Sequence, residues 1–422
     1  MWALADCNSF FASVEKVFHP GLKGRPVCVL SSNDGVIVAL TPEAKALGLR
    51  RGDPLFKVQG LINRCGVQVF SGNIMLYAAM SRRVQGIMRK WVAACQSYSI
   101  DEMFLDLSGY ESHFDMEGYL RDMVRTIRLW TDIPVSIGIA PTRTLAKIGS
   151  RFAKQYPGYR SVCTIDNEEK RRKALALSCL ADVWGIGRRS CDKLMRLGVR
   201  TPLEFADKPA EWVQKHFAKP GILTWKELNG YSCISTEEIL QSQSITTSRS
   251  FGNMISSPEL LKASVATFAA SCANKLRAQG SVAGCITVFV RSNRFRDNLD
   301  QYFNASSFKF PVSTADTIEI TKAAMHLVDE LWREGIQYKK SGVILSEISS
   351  GSGVQQMLFD TIDKRAERLE LSRTMDNLNH RYGLKTVSIA SEGGLSQPWR
   401  VKSEHRSGNY LTDLNEILTV NI

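Results

Sequence analysis

Two adjacent carboxylates, Asp101 and Glu102, stand among apolar residues in the stretch 99–107. On a regular strand, neighbouring side chains point to opposite faces, so both carboxylates could serve one ligand only at a tight hairpin turn. Clustered carboxylates repel each other unless cations neutralise them, and hard oxygen ligands suit Mg²⁺ or Mn²⁺. Taken alone, the stretch fits a solvated acidic turn better. A third carboxylate, Asp6, lies in a short apolar run at residues 2–8 and favours the metal site.

The predicted elements would bring the three carboxylates together. Hydrophobic periodicity predicts a strand at 2–8, a helix at 9–18, a helix at 73–93, the acidic hairpin, a helix at about 114–130 and a strand at 134–140. If the segment 25–72 is set aside as an insertion, this order is the split βαβ arrangement, with an antiparallel sheet and helices on one face. The first strand and the hairpin are central neighbours in that sheet, so Asp6 is expected to meet Asp101 and Glu102.

A basic helix is predicted at residues 142–154. Its cations are Arg143, Lys147, Arg151 and Lys154. A charge run of this kind usually marks a solvated helix face. Beside a metal site, cations at this density would instead suit a triphosphate.

Glycines followed by basic residues mark a predicted DNA-binding motif in the segment 168–234. Gly185-Ile186-Gly187 stands between two predicted helices and is followed by Arg188 and Arg189. Glycines let backbone N–H groups approach phosphate oxygens at a helix N-terminus, as in a helix-hairpin-helix. The segment therefore predicts binding to the DNA backbone without sequence preference.

The same order of elements recurs at residues 244–348, after a linker at 235–243, and predicts a second split βαβ domain. Its predicted strands carry no convergent carboxylates. Five cations would make its sheet a basic surface, although a solvated sheet face fits them as well: Arg249, Arg291, Arg294, Arg296 and Lys309.

A Gly/Ser tether after Ile348 leads into a short apolar peptide that contains Gln355, Leu358 and Phe359. Nothing near this peptide in sequence would hold it in a core, so we predict that it docks into a groove of a partner. The rest of the chain is predicted to form a helix at 361–382, a short strand at 386–390 and a polar tail.

Composition narrows the classes of function. The 422 residues include 54 Lys and Arg against 42 Asp and Glu, a formal charge of +12, which favours a polyanionic partner although an anionic membrane surface also fits. No run of about 18 apolar residues exists, so a membrane span is not expected, and the amino terminus lacks the basic region of a signal peptide. The ten cysteines stand singly, which predicts a reduced cytoplasmic compartment and no zinc site.

Three features in one order resemble the Y-family translesion DNA polymerases, and the resemblance covers the whole chain. They are Asp6 on the first strand, the Ser99-Ile-Asp-Glu102 hairpin and the Val183-x-Gly-Ile-Gly187 motif. A narrower match to one bacterial branch rests on residues 42–48, 182–189, 248–252 and 375–379. The resemblance implies an α+β, multidomain right-hand architecture: a split βαβ palm at 1–24 and 73–165, small fingers at 25–72, a helical thumb with the helix-hairpin-helix at 166–234, a linker at 235–243, a split βαβ little finger at 244–348 and a C-terminal tail at 349–422.

The same resemblance implies the chemistry of the acidic cluster. Asp6, Asp101 and Glu102 would hold two Mg²⁺ ions, or Mn²⁺ as a substitute, with the backbone carbonyl of Cys7 as a further ligand. These ions would activate the primer 3′-OH and stabilise in-line displacement at the α-phosphate of the dNTP, with release of pyrophosphate. No exonuclease-like carboxylate set is recognisable in the sequence, so error-prone synthesis without proofreading is expected.

Further site residues follow from the family pattern. Phe11 stands at the steric gate that excludes the ribose 2′-OH, and Phe10, Lys45 and Lys154 match contacts to the nucleotide. The expected DNA contacts are Gly185, Gly187, Arg188, Arg189, Arg249 and Arg291.

The resemblance also implies partners. These are primed template DNA, dNTP, the β sliding clamp, a UmuD′-like dimer and the RecA filament, in a DNA damage response of the SOS type. The clamp would bind the peptide at Gln355, Leu358 and Phe359. A cytoplasmic, nucleoid-associated bacterial protein is expected, with no membrane partner.

Two other classes of protein share part of this pattern. Nucleotidyl cyclases also place carboxylates on a hairpin of a split βαβ domain, but they need no helix-hairpin-helix, and Ser99-Ile100 stands where they carry Gly-Gly. A non-catalytic DNA-binding scaffold would have no use for three convergent carboxylates, which repel the DNA backbone unless they bind metal. Primer extension separates the classes, since a cyclase would make cyclic product without DNA and a scaffold would make nothing.

Overall fold

The computed structural model describes residues 1–234, 242–353, 362, 364–383, 385–394, 397, 399 and 402–419. The chain divides into two compact units: the first combines Met1–Glu237 with Ser403–Ile422, and the second comprises Glu238–Lys402. Both units mix helices and strands, which confirms the predicted α+β class. None of the helices in the described ranges is long and apolar enough to cross a membrane.

The first unit follows the predicted order of elements closely. Its strands are β1 (Trp2–Cys7), β2 (Val27–Leu30), β3 (Ile37–Leu40), β4 (Gln68–Ser71), β5 (Cys95–Ser97), β6 (Glu102–Asp106), β7 (Val135–Ala140) and β8 (Val162–Thr164). Its α-helices are α1 (Phe10–Phe18), α2 (Pro42–Ala46), α3 (Leu55–Cys65), α4 (Ile74–Trp91), α5 (Met116–Thr131), α6 (Arg143–Gln155), α7 (Glu168–Leu177), α8 (Arg188–Arg196), α9 (Pro202–Ala206), α10 (Ala210–His216) and α11 (Lys219–Leu228).

A five-stranded sheet of order β5-β6-β1-β7-β8 forms the centre of the first unit. β1 pairs antiparallel with both β6 and β7, as the split βαβ prediction requires. Ala3 and Ala5 face the core shared with α1, α4 and α5, whereas Leu4 and Phe104 face the opposite core, which includes α6. Helices therefore cover both faces of the sheet, and the expectation of helices on one face is wrong because α6 returns across the other side.

Residues 27–71 form a three-stranded sheet of order β3-β2-β4, with α2 and α3 around it. The start of α2 has a capping hydroxyl and a proline in their usual positions. The Thr41 hydroxyl accepts a hydrogen bond from the backbone N–H of Ala44 at 3.4 Å, and Pro42 is the first helical residue.

The helices α7–α11 pack together around the glycine motif. The helix predicted before this motif is only a 3₁₀ turn, Leu180–Asp182. Gly185 has φ +93°, and a Cβ atom there would lie 2.1 Å from the Oγ1 atom of Thr224 on α11. Glycine therefore allows the turn to pass close to α11 in a left-handed conformation. Gly187 immediately precedes α8.

The second unit has the predicted order of elements but not the strand order of the first. Its elements are β9 (Ile245–Ile255), α12 (Pro258–Ala278), β10 (Ser281–Ser292), β11 (Phe303–Thr314), α13 (Thr317–Leu331), β12 (Tyr338–Ser350) and α14 (Arg365–Tyr382). The sheet order is β11-β10-β12-β9, so the first strand of this unit lies at an edge, whereas β1 lies inside its sheet. The strand predicted at 386–390 is wrong, because bends and a 3₁₀ turn, Ala390–Glu392, stand there.

Candidate active site

The pairing of β1 with β6 brings the three predicted carboxylates together. Asp6 lies directly opposite Glu102 in the strand register. The next backbone N–H, that of Cys7, donates to the carbonyl of Asp101 at 2.9 Å. Asp101 is the last residue before β6, so it sits in the hairpin turn beside the other two carboxylates.

Ser99 shapes the turn that presents these carboxylates, and sequence reasoning assigned it no role. Its hydroxyl accepts hydrogen bonds from the backbone N–H groups of Asp101 and Glu102, at 3.2 and 3.0 Å. It also donates to Oδ1 of Asp101 at 2.6 Å. Serine often closes turns by bonding to backbone groups two or three residues on, so the signal was available in the Ser-x-Asp-Glu spacing.

Two lysines of α6 hold the carboxylates. Lys147 Nζ lies 2.9 Å from Oε1 of Glu102, and Lys154 Nζ lies 3.0 Å from Oδ1 of Asp6. The helix reaches them because it packs closely on the sheet: a Cβ atom at Gly138 of β7 would lie 2.0 Å from the α6 backbone. The absence of that side chain lets α6 approach the strand that neighbours β1.

The other two cations of α6 serve different contacts. The Arg143 guanidinium is buried, lies 3.9 Å above the ring of Trp2 and donates to the carbonyl of Ile234 at 3.0 Å. Arg151 pairs with Asp182. Of the four predicted helix cations, Lys147 and Lys154 are therefore the ones that the structure brings to the carboxylates.

Burial raises the pKa of two carboxylates of this cluster, those of Asp6 and Glu102. The pKa of Asp6 is raised by burial and by the charge of Asp101, although Lys154 lowers it in part. The pKa of Glu102 is likewise raised by burial, against the effect of Lys147. The pKa of Lys45 is lowered by burial and by the charge of Lys154, while the charge of Asp6 raises it in part.

The donor chemistry of the cluster fits a divalent cation. All three side chains offer hard carboxylate oxygens. The pKa values of Asp6 and Glu102 are raised mainly by burial, and the neighbouring carboxylate charges raise them further. Burial raises the pKa of the Cys7 thiol, so the thiol stays protonated and only the Cys7 backbone carbonyl remains as a candidate ligand. Within the described ranges no three Asp, Glu, His or Cys side chains already surround one point. The present contacts explain this, because Asp6, Glu102 and Asp101 each turn to a different partner.

The two phenylalanines after β1 differ in their surroundings. Phe10 is buried in the hydrophobic core of the first unit. Phe11 is half-buried and stacks on Tyr77 with ring centroids 4.5 Å apart and planes at 18°. The family pattern did not point to Tyr77.

The predicted DNA contacts of the first unit lie on its surface. Gly185, Gly187, Arg188 and Arg189 are all exposed, and the two arginines occupy the first turn of α8.

In the second unit, Arg291 lies opposite Lys340 on the sheet face away from α12 and α13, because its neighbour Val290 faces the core. Arg249 does not share that face. Its guanidinium lies 6.0 Å above the ring of Phe268 on α12, so the prediction that Arg249 belongs to a basic sheet surface is wrong.

Gln355, Leu358 and Phe359 lie outside the described residues.

Solved structures with the same fold are Y-family polymerases. A Y-family DNA polymerase chimera of Dbh and Dpo4 matches with a TM-score of 0.67 and 23% identity, covering 83% of this chain and 99% of the other. An insertion ternary complex of Dbh DNA polymerase matches with a TM-score of 0.53 and 22% identity, over 83% of this chain and 99% of the other. These similarities show that the fold is that of a Y-family DNA polymerase.

Sequence comparisons assign the chain more narrowly. The impB/mucB/samB family matches residues 5–151, its C-terminal domain matches residues 242–358, and a domain of unknown function matches residues 370–420. The chain is 39% identical to Protein ImpB of Salmonella typhimurium over 99% of both chains, and 38% identical to Protein UmuC of Salmonella typhimurium strain LT2 over 100% of both. It is 28% identical to DNA polymerase IV of Moorella thermoacetica, over 92% of this chain and 94% of the other.

The chain therefore belongs to the impB/mucB/samB family of Y-family translesion DNA polymerases and is a DNA-directed DNA polymerase. The predicted resemblance is confirmed, including its narrower match to the branch that contains UmuC.

Proposed function

We propose that this chain carries out error-prone, template-directed DNA synthesis past damaged bases, in a damage response of the SOS type. The observation that carries the proposal is that Asp6 and Glu102 occupy paired strand positions, with Asp101 beside them. Two lysines of α6 form ion pairs with Asp6 and Glu102. A purely structural acidic turn would not need a carboxylate from a second strand. The family membership of the chain does not favour a nucleotidyl cyclase or a non-catalytic scaffold.

The residues of the cluster have distinct proposed roles. Asp6, Asp101 and Glu102, with the carbonyl of Cys7, would hold two Mg²⁺ ions, which when bound activate the primer 3′-OH and stabilise the transferring phosphoryl group. Mn²⁺ would substitute because its oxygen-ligand chemistry is similar.

The lysines hold the carboxylates in place before substrates bind. Lys154 and Lys45 then donate to the triphosphate oxygens of the dNTP. Lys154 already contacts Asp6, and the charges of Asp6 and Lys154 both act on Lys45.

Phe11 is the proposed steric gate for the sugar. Its ring is supported by the fully buried Tyr77, which limits how far it can turn away. A ring held in this way would contact the sugar of the incoming nucleotide and exclude a 2′-OH. Phe10 would contribute only its backbone N–H.

Each unit presents a proposed DNA contact surface of its own. In the first unit, the backbone N–H groups at the start of α8 and the side chains of Arg188 and Arg189 would bind phosphates. In the second unit, Arg291 and Lys340 would bind phosphates from neighbouring strands. In this proposal the palm comprises residues 1–24 and 73–165, the fingers 25–72, the thumb 166–234 and the little finger 244–348.

Proposed protein partners rest on the relatives of the chain. The β sliding clamp would bind the peptide that contains Gln355, Leu358 and Phe359. A UmuD′-like dimer and the RecA filament would complete the active assembly at damaged DNA, in the cytoplasm and associated with the nucleoid.

Primer extension tests the proposal directly. The full chain is mixed with dNTP and a primed template, either undamaged or with one abasic site, with and without Mg²⁺, RecA and the UmuD′-like subunit. We expect Mg²⁺-dependent extension past the abasic site. Extension that stops at the site under every condition would contradict translesion synthesis, and DNA binding with no extension on undamaged template would contradict the catalytic assignment.

A further inference from the structure

Residues 404–411, which we name the C-terminal strap, return to the first unit and pack against it. They lie within the stretch that matches a domain of unknown function. The backbone N–H of Ser71 donates to the carbonyl of His405 at 2.9 Å, and the N–H of Glu404 donates to Oδ2 of Asp34 at 2.9 Å. A parallel bridge between Ser71 and Arg406 places the strap at the end of β4, so it extends one edge of the three-stranded sheet.

The strap also holds two helices of the first unit. Asn73, whose side chain caps α4, donates from Nδ2 to the carbonyls of Ser407 at 3.0 Å and Gly408 at 3.2 Å. The ring of Tyr410 lies 5.1 Å from the ring of Phe18 on α1. One short segment therefore connects the three-stranded sheet, α4 and α1.

One residue of the strap, Ser407, contacts Glu15, a fully buried carboxylate on α1. Its Oε1 atom accepts hydrogen bonds from the hydroxyls of Ser407 at 2.9 Å and Tyr77 at 2.6 Å. A buried carboxylate is costly unless hydrogen bonds satisfy it, so we expect the carboxylate and its remaining donor to shift when one donor is lost. The ring of Tyr77 in turn stacks on Phe11.

We propose that the C-terminal strap positions the ring of Phe11 and thereby contributes to sugar selection. The connection runs from Ser407 to Glu15, and from Glu15 to Tyr77. Because Tyr77 is buried and fixed at its hydroxyl, its ring offers Phe11 a surface of defined orientation. This inference rests on the proposed role of Phe11 as the steric gate. It gives a positioning role to a segment that lies outside the acidic cluster.

The test compares insertion of a dNTP with insertion of the matching rNTP by the full chain on undamaged primed DNA. Ser407→Ala removes the hydroxyl donor from Glu15. Ser403→Ala is the matched control, because Ser403 is exposed and makes no hydrogen bond with any described residue. We expect Ser407→Ala to raise the ratio of kcat/KM for rNTP to kcat/KM for dNTP about fivefold, and Ser403→Ala to leave it unchanged.

Two further variants separate positioning from general damage to the fold. Tyr77→Phe keeps the ring and removes only the hydroxyl, so we expect the same direction of change, and it decides the question if Ser407→Ala does not fold. Phe11→Ala should itself admit rNTP. In the Phe11→Ala background, Ser407→Ala should add nothing, because the strap acts through the ring that is no longer there.

The outcomes distinguish this inference from the proposed gate. If Phe11→Ala relaxes sugar selection but Ser407→Ala and Tyr77→Phe do not, the gate stands and the role of the strap is overturned. If Ser407→Ala still relaxes selection without the Phe11 ring, the strap acts by another route and the inference is again overturned. Unchanged selection in Phe11→Ala would remove both the gate and the inference that depends on it.

Discussion

Asp6 and Glu102 face each other across β1 and β6, and each is held by a lysine from one helix. Lys154 lies 3.0 Å from Asp6, and Lys147 lies 2.9 Å from Glu102. The two lysines are about two turns apart on α6, so one face of this helix spans both carboxylates. The arrangement depends on the sheet for the carboxylates and on the approach of α6 for their counter-charges.

Loss of one carboxylate charge should stop synthesis without stopping DNA binding. Glu102→Gln keeps the shape of the side chain, and Asp101→Ala removes the carboxylate in the turn. We expect each to reduce the rate of primer extension by at least about a thousandfold, because the metal ligands are lost.

Asp122→Asn is a matched control on α5, where the carboxylate is exposed and pairs with Arg125. Extension is measured in single turnover and DNA affinity by titration. Wild-type extension by either variant would contradict the metal assignment.

Removal of the lysine beside Asp6 should affect the nucleotide more than the chemistry. We expect Lys154→Gln to raise KM for dNTP about tenfold, because a charge-assisted hydrogen bond to the triphosphate is lost. Arg151→Gln removes a cation from the same helix that pairs with Asp182 instead, so its KM should stay within about twofold of wild type. Steady-state insertion kinetics at several dNTP concentrations measure both. Equal effects of the two variants would indicate that α6 acts only through its overall charge.

The buried Glu15 should make the free energy of unfolding depend on pH. Burial raises its pKa above the ordinary value of 4.5, against the hydrogen bonds from Tyr77 and Ser407. The folded state therefore binds the proton more tightly than the unfolded state, so this contribution to stability is complete below pH 4.5 and is lost as the pH rises through the raised pKa.

Glu15→Gln removes this titration and keeps an acceptor for both hydroxyls. Urea unfolding of the two proteins at a series of pH values gives the difference between them. We expect the stability of wild type relative to Glu15→Gln to fall as the pH rises from 4.5. A difference that stays constant or grows with pH would show that Glu15 is not held in a desolvated site.

The meeting of the three carboxylates could be predicted because it follows from the order of elements. Once the segment 25–72 is treated as an insertion, the split βαβ order makes the first strand and the acidic hairpin neighbours. Periodicity also predicted α6 and its basic character. It could not predict which cations face the sheet, because that depends on how closely Gly138 lets the helix approach.

Contacts between segments far apart in the sequence could not be predicted either, because they also depend on how the elements pack in three dimensions. Asn73 and Ser407 are 334 residues apart in sequence, and no local pattern in either segment indicates that they touch. The face on which Arg249 lies depends on the register of β9 with β12, where Arg249 stands opposite the buried Ser341. Alternation within β9 alone does not fix that register, because polar residues occupy both of its faces.

The turn before α8 should tolerate an added methyl group at one glycine and not at the other. Gly185→Ala forces φ +93° on alanine and places its Cβ against Thr224, so we expect a loss of about 2–4 kcal/mol in the free energy of unfolding. At Gly187, φ is −77° and no atom lies within 4 Å of the added Cβ, so Gly187→Ala should cost less than about 1 kcal/mol. Urea denaturation compares the two. Similar losses would mean that the close approach to α11 does not constrain the turn.

Two arginines of the second unit should differ in DNA binding because their side chains lie on opposite faces of one sheet. Arg291 stands beside Lys340 on the face away from the helices, whereas Arg249 lies over Phe268 on the helix side. If the open face binds DNA phosphates, Arg291→Ala should lower the magnitude of the slope of log affinity against log salt by about 1. Arg249→Ala should leave that slope unchanged, because this arginine contributes packing over an aromatic ring. Binding of the full chain to primed DNA at several salt concentrations measures both slopes. If only Arg249→Ala lowers the magnitude of the slope, the DNA binds on the helix side of this unit. If neither variant changes the slope, the sheet is not part of the DNA-binding surface.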